Sequence, residues 1–543
     1  MKYQIRIFLC CLFLLCGCVQ SPAVTDHNVQ SSVYSEAQLV EIGRRVYQEG
    51  VLVNGEPIRA TVMGGLEVSG QQFTCIHCHR RSGLGGQEGT KYVPATNGAY
   101  LFAPREKVHM VRPSYDNQTL IEAIAAGVNP LGTPFDEIMP LYDLPDLEMD
   151  GLVAYLKELS STLSPGVDDQ AIHIGVVVDA SIDKAERDAM LAVIERYFTD
   201  KNSKSRNEHK RRKFAPFYLV DRLQAYRPWQ LHVWEVSGPP ENWPEQLEEY
   251  YRQQPVFTML SGLVKGPWEP IHNFCEKHRI PSVLPNTVRP VVREDVDFYT
   301  MYFSKGVVLD AQVALTDLEA EPTPSKIIQV YRQRGDGEDG AAALRSMADS
   351  AGIKVYDLVF AEDVEINGME AVIAKVRETG ADTMIFWLGA EDLASLATGS
   401  VRLPKNFRIY LTTSLLDGEL NRIPSLFKAN GLVLHQYNLP QNHAARFSRT
   451  AVWLKSRQIP LTSQMLQGQT FYACLVLMEG LMHVRRNFYP DYLLDGLDHV
   501  QRMARLVANY PRVSFGPEQR YLAKGSYVVD LKTSTSRWIV PDH

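Results

Sequence analysis

Residues 255–287 read PVFTMLSGLVKGPWEPIHNFCEKHRIPSVLPNT. An apolar run from Val256 to Leu260 gives way to a turn with Gly262, Gly266 and Pro267. A helical pattern over 270–278 and a second apolar run over 280–284 follow. Apolar runs too brief for a helix, split by a helix-period segment and punctuated by glycine and proline, read as strand, helix, strand. A helix between two strands carries the chain back to its starting edge, so the strands pair in parallel. The same alternation recurs on both sides. Residues 172–178 (IHIGVVV) precede a helical pattern at 184–198. Residues 326–331 (KIIQVY) precede one at 340–351 and then the run 354–360, and the pattern at 369–379 leads into 382–388 (DTMIFWL). Parallel α/β structure is therefore predicted for 171–543, a length that calls for two lobes.

The order and spacing of these elements resemble the type I periplasmic binding proteins of the branched-chain amino acid kind. The likeness rests on 172–178 with its helix, on 255–287, and on the closing 513–539 (VSFGPEQRYLAKGSYVVDLKTSTSRWI). It implies lobe one at about 171–302 and 441–510, lobe two at about 303–440 and 511–543, and a ligand cleft at the carboxyl ends of the strands. By position at strand ends, the cleft candidates are Asp179, Ser181, Ser261, Lys265, Trp268, Tyr302, Ser304, Trp387 and Thr412. In this reading Lys265 pairs with an anion and Trp268 stacks on a flat ligand; each reads equally well as a loop or surface residue. Amino-acid binders of the family tend to show Ser or Thr hydroxyls after the second-unit strand, to hold the ligand carboxylate. Here that loop runs Ser261-Gly262-Leu263-Val264-Lys265-Gly266-Pro267-Trp268. The ligand stays open, as does a domain that keeps the fold for docking alone.

Residues 161–170, with Ser164, Pro165 and Gly166, read as a linker. Ahead of it, Phe73-Thr74-Cys75-Ile76-His77-Cys78-His79 sets two thiols three positions apart with a histidine directly after. A structural zinc needs a second pair of ligands at short spacing, and none follows. A thioredoxin-type dithiol opens a helix after a strand, whereas helix and glycine loop surround this motif. Cys-X-X-Cys-His fits a covalent c-type haem, with Cys75 and Cys78 bonded to the porphyrin and His79 on the iron. Downstream, Leu120, Ile121, Ile124 and Ala125 mark a helix ending at Gly127, and a loop carries Met139-Pro140. Asp146 is then expected to cap a final helix with Met149, Leu152, Val153, Leu156 and Leu159 on one face. Residues 36–160 resemble a small class I cytochrome c, an all-α domain. The resemblance implies Met139 as the second axial ligand, with His109 and Met110 as weaker rivals, and Pro94 as the carbonyl that orients His79. Residues 36–50 supply a first helix packing across the last.

The chain opens with Lys2 and Arg6 and runs apolar to Leu15, a signal-peptide pattern too short for a span. The small residues before Cys18 resemble a bacterial lipobox, which implies acylation of Cys18 after removal of 1–17; a signal cut near Ala23 is the alternative. Residues 18–35 read as a tether. Of eight cysteines, Cys275 and Cys474 remain inside apolar helical patterns, as two buried thiols or a disulfide. The basic stretch 200–214, in a chain of net charge −7, reads as a solvated insertion loop or a docking patch; an exported chain meets no nucleic acid.

The expected architecture is multidomain: an all-α cytochrome c domain, then a bilobal α/β binding-protein fold. The expected function is a periplasmic, lipid-anchored one-electron carrier, not an enzyme. Its partners would be a dehydrogenase or another cytochrome, with a small ligand for the large domain. The alternative is the substrate-binding component of an ABC-type transporter with an accessory haem.

Overall fold

The computed structural model describes residues 34–107, 110–211, 227–293, 298–320, 326–398, 407–499, 509–516 and 519–541. Cys18, the signal segment and His109 lie outside them, as do residues 212–226, which include the end of the basic stretch. The chain divides into two compact units, one reaching to Leu159 and one running from Ser160 to His543, with Arg80–Leu84 counted in the second.

The first unit opens with helix α1 (Glu36–Glu49). Ser35 and Gln38 form a reciprocal capping box at its start, and Gly50 closes it at φ 67°. Next come strands β1 (Arg59–Val62) and β2 (Leu66–Ser69), then helix α2 (Cys75–His79), strands β3 (Gly86–Glu88) and β4 (Lys91–Val93), and helix α3 (Gly98–Leu101). Strands β5 (Arg105–Lys107) and β6 (Met110–Arg112), helix α4 (Asn117–Ala126), strand β7 (Leu141–Asp143) and helix α5 (Asp146–Glu158) complete the unit. The all-α expectation is corrected: β2, β1 and β7 form an antiparallel sheet, with β3–β4 and β5–β6 as small hairpins. Gly64 and Gly65, at φ 79° and 80°, allow the tight turn that pairs β1 with β2. Asp146 does not cap α5; Pro145 holds that position and Asp146 is the first helical residue, its carboxylate beside the positive end of the helix dipole. Met149, Leu152, Val153, Leu156 and Leu159 are buried as expected.

Helices α1 and α5 cross at two glycines. A Cβ on Gly43 would lie 2.0 Å from the Gly151 carbonyl oxygen, so the two backbones meet without side chains between them. One turn further on, the Tyr47 and Tyr155 rings stand 5.4 Å apart.

The second unit holds two sheets. Strands β8 (Ile172–Asp179), β9 (Trp229–Val236), β10 (Thr258–Leu260), β11 (Ser282–Val283) and β12 (Thr300–Met301) form the first, in the order β12-β11-β10-β8-β9 and wholly parallel. Every residue of β8 is buried, as a central strand covered on both faces requires. Strand β9 was not anticipated from the sequence. Its polar residues Gln230, His232 and Glu235 interrupt the apolar run, as suits an edge strand.

The second sheet takes β13 (Lys326–Arg332), β14 (Lys354–Phe360), β15 (Thr383–Trp387), β16 (Arg408–Thr412), β17 (Gly431–His435), β18 (Ser526–Asp530) and β19 (Thr535–Ile539). Their order is β14-β13-β15-β16-β17-β18-β19, the last two antiparallel. The helix Val307–Glu319 packs Leu309, Val313 and Leu318 into this lobe. The chain then returns: helices Gln464–Val484 and Pro490–His499 join the core of the first lobe. That core also takes in Tyr510, Val513, Leu522 and Ala523, so the last crossing lies between Ala523 and Ser526, later than the expected 510. The helix Lys184–Arg211 continues through residues 200–211, where a loop was expected. Cys275 and Cys474 are buried free thiols in separate apolar clusters. Among the described residues no helix is long and apolar enough to cross a membrane.

Candidate functional site

Each unit gathers chemistry-bearing side chains in one place. In the first, helix α2 sets Cys75, Cys78 and His79 within little more than one turn. The Tyr142 hydroxyl, on β7, donates to the Phe73 carbonyl at 2.5 Å and ties the start of this helix to the sheet. His79 is buried, and its Nδ1 lies 2.9 Å from the Pro94 carbonyl oxygen. A carbonyl only accepts, so Nδ1 carries the proton and the free lone pair sits on Nε2. Burial holds this imidazole below its ordinary pKa, which favours the neutral form. Gly85, at φ 65°, passes so close to this carbonyl that a Cβ there would meet Pro94 O at 2.6 Å.

Burial pushes the Cys75 thiol up to about 12, the reverse of the lowered value a redox dithiol needs. His77 is exposed and pairs with the Thr74 hydroxyl. Met139 is half-buried against the same apolar cluster as Cys75, Ile76 and Phe135. Among the described residues no three His, Cys, Asp or Glu side chains gather as a zinc site would need. Two thiols on one turn, an imidazole with Nδ1 committed, and a thioether in apolar surroundings fit the donor set of a His/Met c-type haem.

In the second unit, a cavity of about 330 Å³ lies between the two lobes. Leu263 after β10, Asn286 after β11, Trp387 at the end of β15, Ser414 after β16 and Tyr437 after β17 all line it. These are carboxyl ends of parallel strands, where loops rather than ladder hydrogen bonds set the surface. Tyr510 and Gln469 come from the returning chain, with Gln469 Nε2 3.3 Å from the Tyr510 hydroxyl.

Beneath the cavity sits Asp310, fully buried in the first turn of the helix Val307–Glu319. Thr412 and Ser414 donate their hydroxyls to Oδ2 at 2.5 and 2.7 Å, and Gln436 Nε2 donates to Oδ1 at 2.9 Å. Burial raises the carboxyl to about 6, against the pull of these three donors.

Of the nine cleft candidates, the cavity lining contains Trp387 alone. Its Nε1 donates to Gln329 at 3.2 Å, which fixes the ring. Trp268 is corrected from a stacking surface to a core residue: it is fully buried, packed with Ile271 and Phe274. Tyr302 is likewise core, its hydroxyl 2.8 Å from His272 Nδ1. Asp179 turns its carboxylate to the backbone N–H groups of Ser181 and Lys265, so it shapes the loop; Ser181 and Lys265 are exposed and outside the lining. Ser261 accepts from Asn286 at 2.7 Å and Ser304 accepts from the Gly306 N–H, both inside the protein. Thr412 is spent on Asp310.

Sequence reading missed Asn286, Ser414, Tyr437, Gln469 and Tyr510. The first three follow strand ends, a signal available in principle; the last two lie after the return crossing and carry none.

No family model matches the chain, and no curated protein is similar to it. Solved structures are similar in fold. A branched-chain amino acid ABC transporter protein from Thermus thermophilus, with bound valine, is 12% identical with TM-score 0.51, over 69% of this chain and 97% of that one. An ABC transporter substrate-binding protein from Sphaerobacter thermophilus is 14% identical with TM-score 0.47, over 69% and 97%. A solute-binding protein from Rhodopseudomonas palustris HaA2, in complex with p-hydroxybenzoic acid, is 14% identical with TM-score 0.45, over 66% and 93%. The second unit thus has the type I periplasmic-binding-protein fold.

Proposed function

We propose that this chain is an exported small-molecule-binding protein whose second unit captures its ligand between two lobes, and that it is not an enzyme. The cavity at the strand ends of both sheets supports this reading. Neither lobe alone supplies the lining, so ligand binding couples to lobe closure. Transport or sensing would follow from that closure, in the periplasm, with Cys18 as the acylated anchor. The test is calorimetry on the full chain against amino acids, organic acids, alcohols and amines. A binder at a hundred times its Kd should stabilise the protein by about 2.7 kcal/mol. Silence across all four classes overturns the reading.

A second reading, favoured by the hydrogen bond from His79 to Pro94, adds a covalent c-type haem to the first unit. Cys75 and Cys78 would hold the porphyrin, and His79 and Met139 the iron. Such a group carries one electron at a time, and a dehydrogenase or another cytochrome would be the partner. The chain's own residues set the site: Pro94 orients the imidazole, and the apolar cluster around Met139 excludes water. Chain produced with haem-maturation machinery should keep its porphyrin through acid-acetone extraction, and Cys75→Ala with Cys78→Ala should lose it. Wild-type protein free of porphyrin refutes the haem.

A further inference from the structure

We propose that the cleft selects small primary amines, as ammonium ions, and rejects carboxylates; the inference rests on the binding reading above. Among the described residues that line the cavity, the cation is Arg332. Four of its five N–H groups are engaged: Nε and Nη2 each bond Asp392 at 2.7 Å, and Nη1 donates to the carbonyls of Ala361 and Val364 at 2.9 and 2.8 Å. No donor fork is left for a ligand carboxylate. The acids of the lining are Glu186, Asp336, Asp392 and Asp417. Asp392 is paired to Arg332 and Asp417 to Arg422, whereas Glu186 and Asp336 form no ion pair among the described residues.

A hydroxyl at the strand ends is also spent. Ser414 lines the cavity, but its proton goes to Asp310 at 2.7 Å and its oxygen accepts from Gln436 Nε2 at 3.2 Å, so it has no hydrogen left for a ligand anion. Asn286 behaves alike: Nδ2 donates to Ser261 at 2.7 Å, and Oδ1 is buried with no partner. The lining therefore sets four acids against one engaged cation, and the unpaired Glu186 and Asp336 favour an ammonium over a carboxylate. The Trp387, Tyr437 and Tyr510 side chains add aromatic surface for the hydrocarbon part. At about 330 Å³, the space is near the lower end of ligand pockets, roughly 300–1,000 Å³, and calls for a small molecule.

The experiment titrates the full chain with three probes of one shape: 3-methylbutylamine, 3-methylbutan-1-ol and 3-methylbutanoate, at pH 7. The amine should bind at least tenfold more tightly than the alcohol, and the carboxylate should give no heat. Asp336→Asn and, separately, Glu186→Gln should each weaken the amine about tenfold or more, the scale of one charge-assisted hydrogen bond. Both side chains are exposed, so these variants should fold as the parent does. Carboxylate binding equal to or tighter than the amine overturns the proposal and leaves the binding reading intact, as does binding of the alcohol alone. Carboxylate binding lost in Lys265→Gln would assign the anchor to that exposed lysine instead. Silence of all three probes refutes the amine class, and the binding reading falls with it only if the wider panel is silent too.

Discussion

Replacing Asp310 by asparagine should flatten the pH dependence of stability between pH 5 and 7.5. The folded carboxyl sits at about 6 against an ordinary 3.8, because burial penalises its charge more than three donors repay. Raised in the folded state, it binds its proton more tightly there than in the unfolded chain. Its penalty is therefore full above pH 6 and is relieved as pH falls from 6 toward 3.8. At about 1.4 kcal/mol per unit, ionised Asp310 costs the fold about 3 kcal/mol at pH 7.5 and about 1.5 kcal/mol at pH 5. The asparagine side chain carries no such charge. Its own loss of hydrogen bonding, softened where the Gln436 amide turns its unpartnered Oε1 inward, does not vary with pH. The stability of the variant relative to wild type should then be better at pH 7.5 than at pH 5 by about 1.5 kcal/mol. Urea unfolding followed by tryptophan fluorescence measures it, and taking the difference cancels every other titrating group. A difference independent of pH, or one that favours the variant at pH 5, refutes the account of a strained buried carboxylate.

Two further outcomes follow from packing. Gly43→Ala should destabilise the first unit by about 3 kcal/mol, the upper range for overpacking, because the new methyl meets the backbone of Gly151 and no side chain can rotate away. Hydrogen exchange in α1 and α5 reads it; unchanged protection would mean the crossing is looser than described. Trp268→Ala should cost about 3–5 kcal/mol in chemical denaturation, as a fully buried aromatic does, while the folded protein keeps its ligand affinity. A large loss of affinity at unchanged stability would return Trp268 to the cleft.

Strands of the second unit were legible where an apolar run is nearly continuous, on the edge strand β14 as on the fully buried β15. Residues 354–360 form β14 as predicted, and 382–388 enclose β15. Strand β9 escaped because an edge strand carries polar residues on its open face, and the three-stranded sheet of the first unit escaped because four-residue strands leave too few alternations to count. The cleft was read poorly for a different reason. Position at a strand end brings a residue to the right rim, but whether its side chain turns outward depends on partners far away in sequence. Tyr302 turns to His272 and Thr412 to Asp310, and neither pairing has a local signature. By contrast Pro94 was placed near His79 through a resemblance in motif order, where the spacing itself constrains the loop.

Asp310 and the charge of the ligand belong to one problem. A cleft built to hold a carboxylate keeps hydroxyl and amide donors free at the ends of its strands. Here a carboxylate of the chain itself consumes them: Thr412, Ser414 and Gln436 all point their hydrogens at Asp310. The internal acid takes the hydrogen of Ser414, which of the three lines the cavity, and it adds a second negative charge below any anion there. Both effects act in the same direction, since like charges in a low-dielectric space raise each other's cost. A cation above the same network would be attracted by Asp310 and by the unpaired carboxylates of Glu186 and Asp336 in the lining. On the proposed reading, one buried aspartate thus sets the stability slope and biases the cleft away from anions.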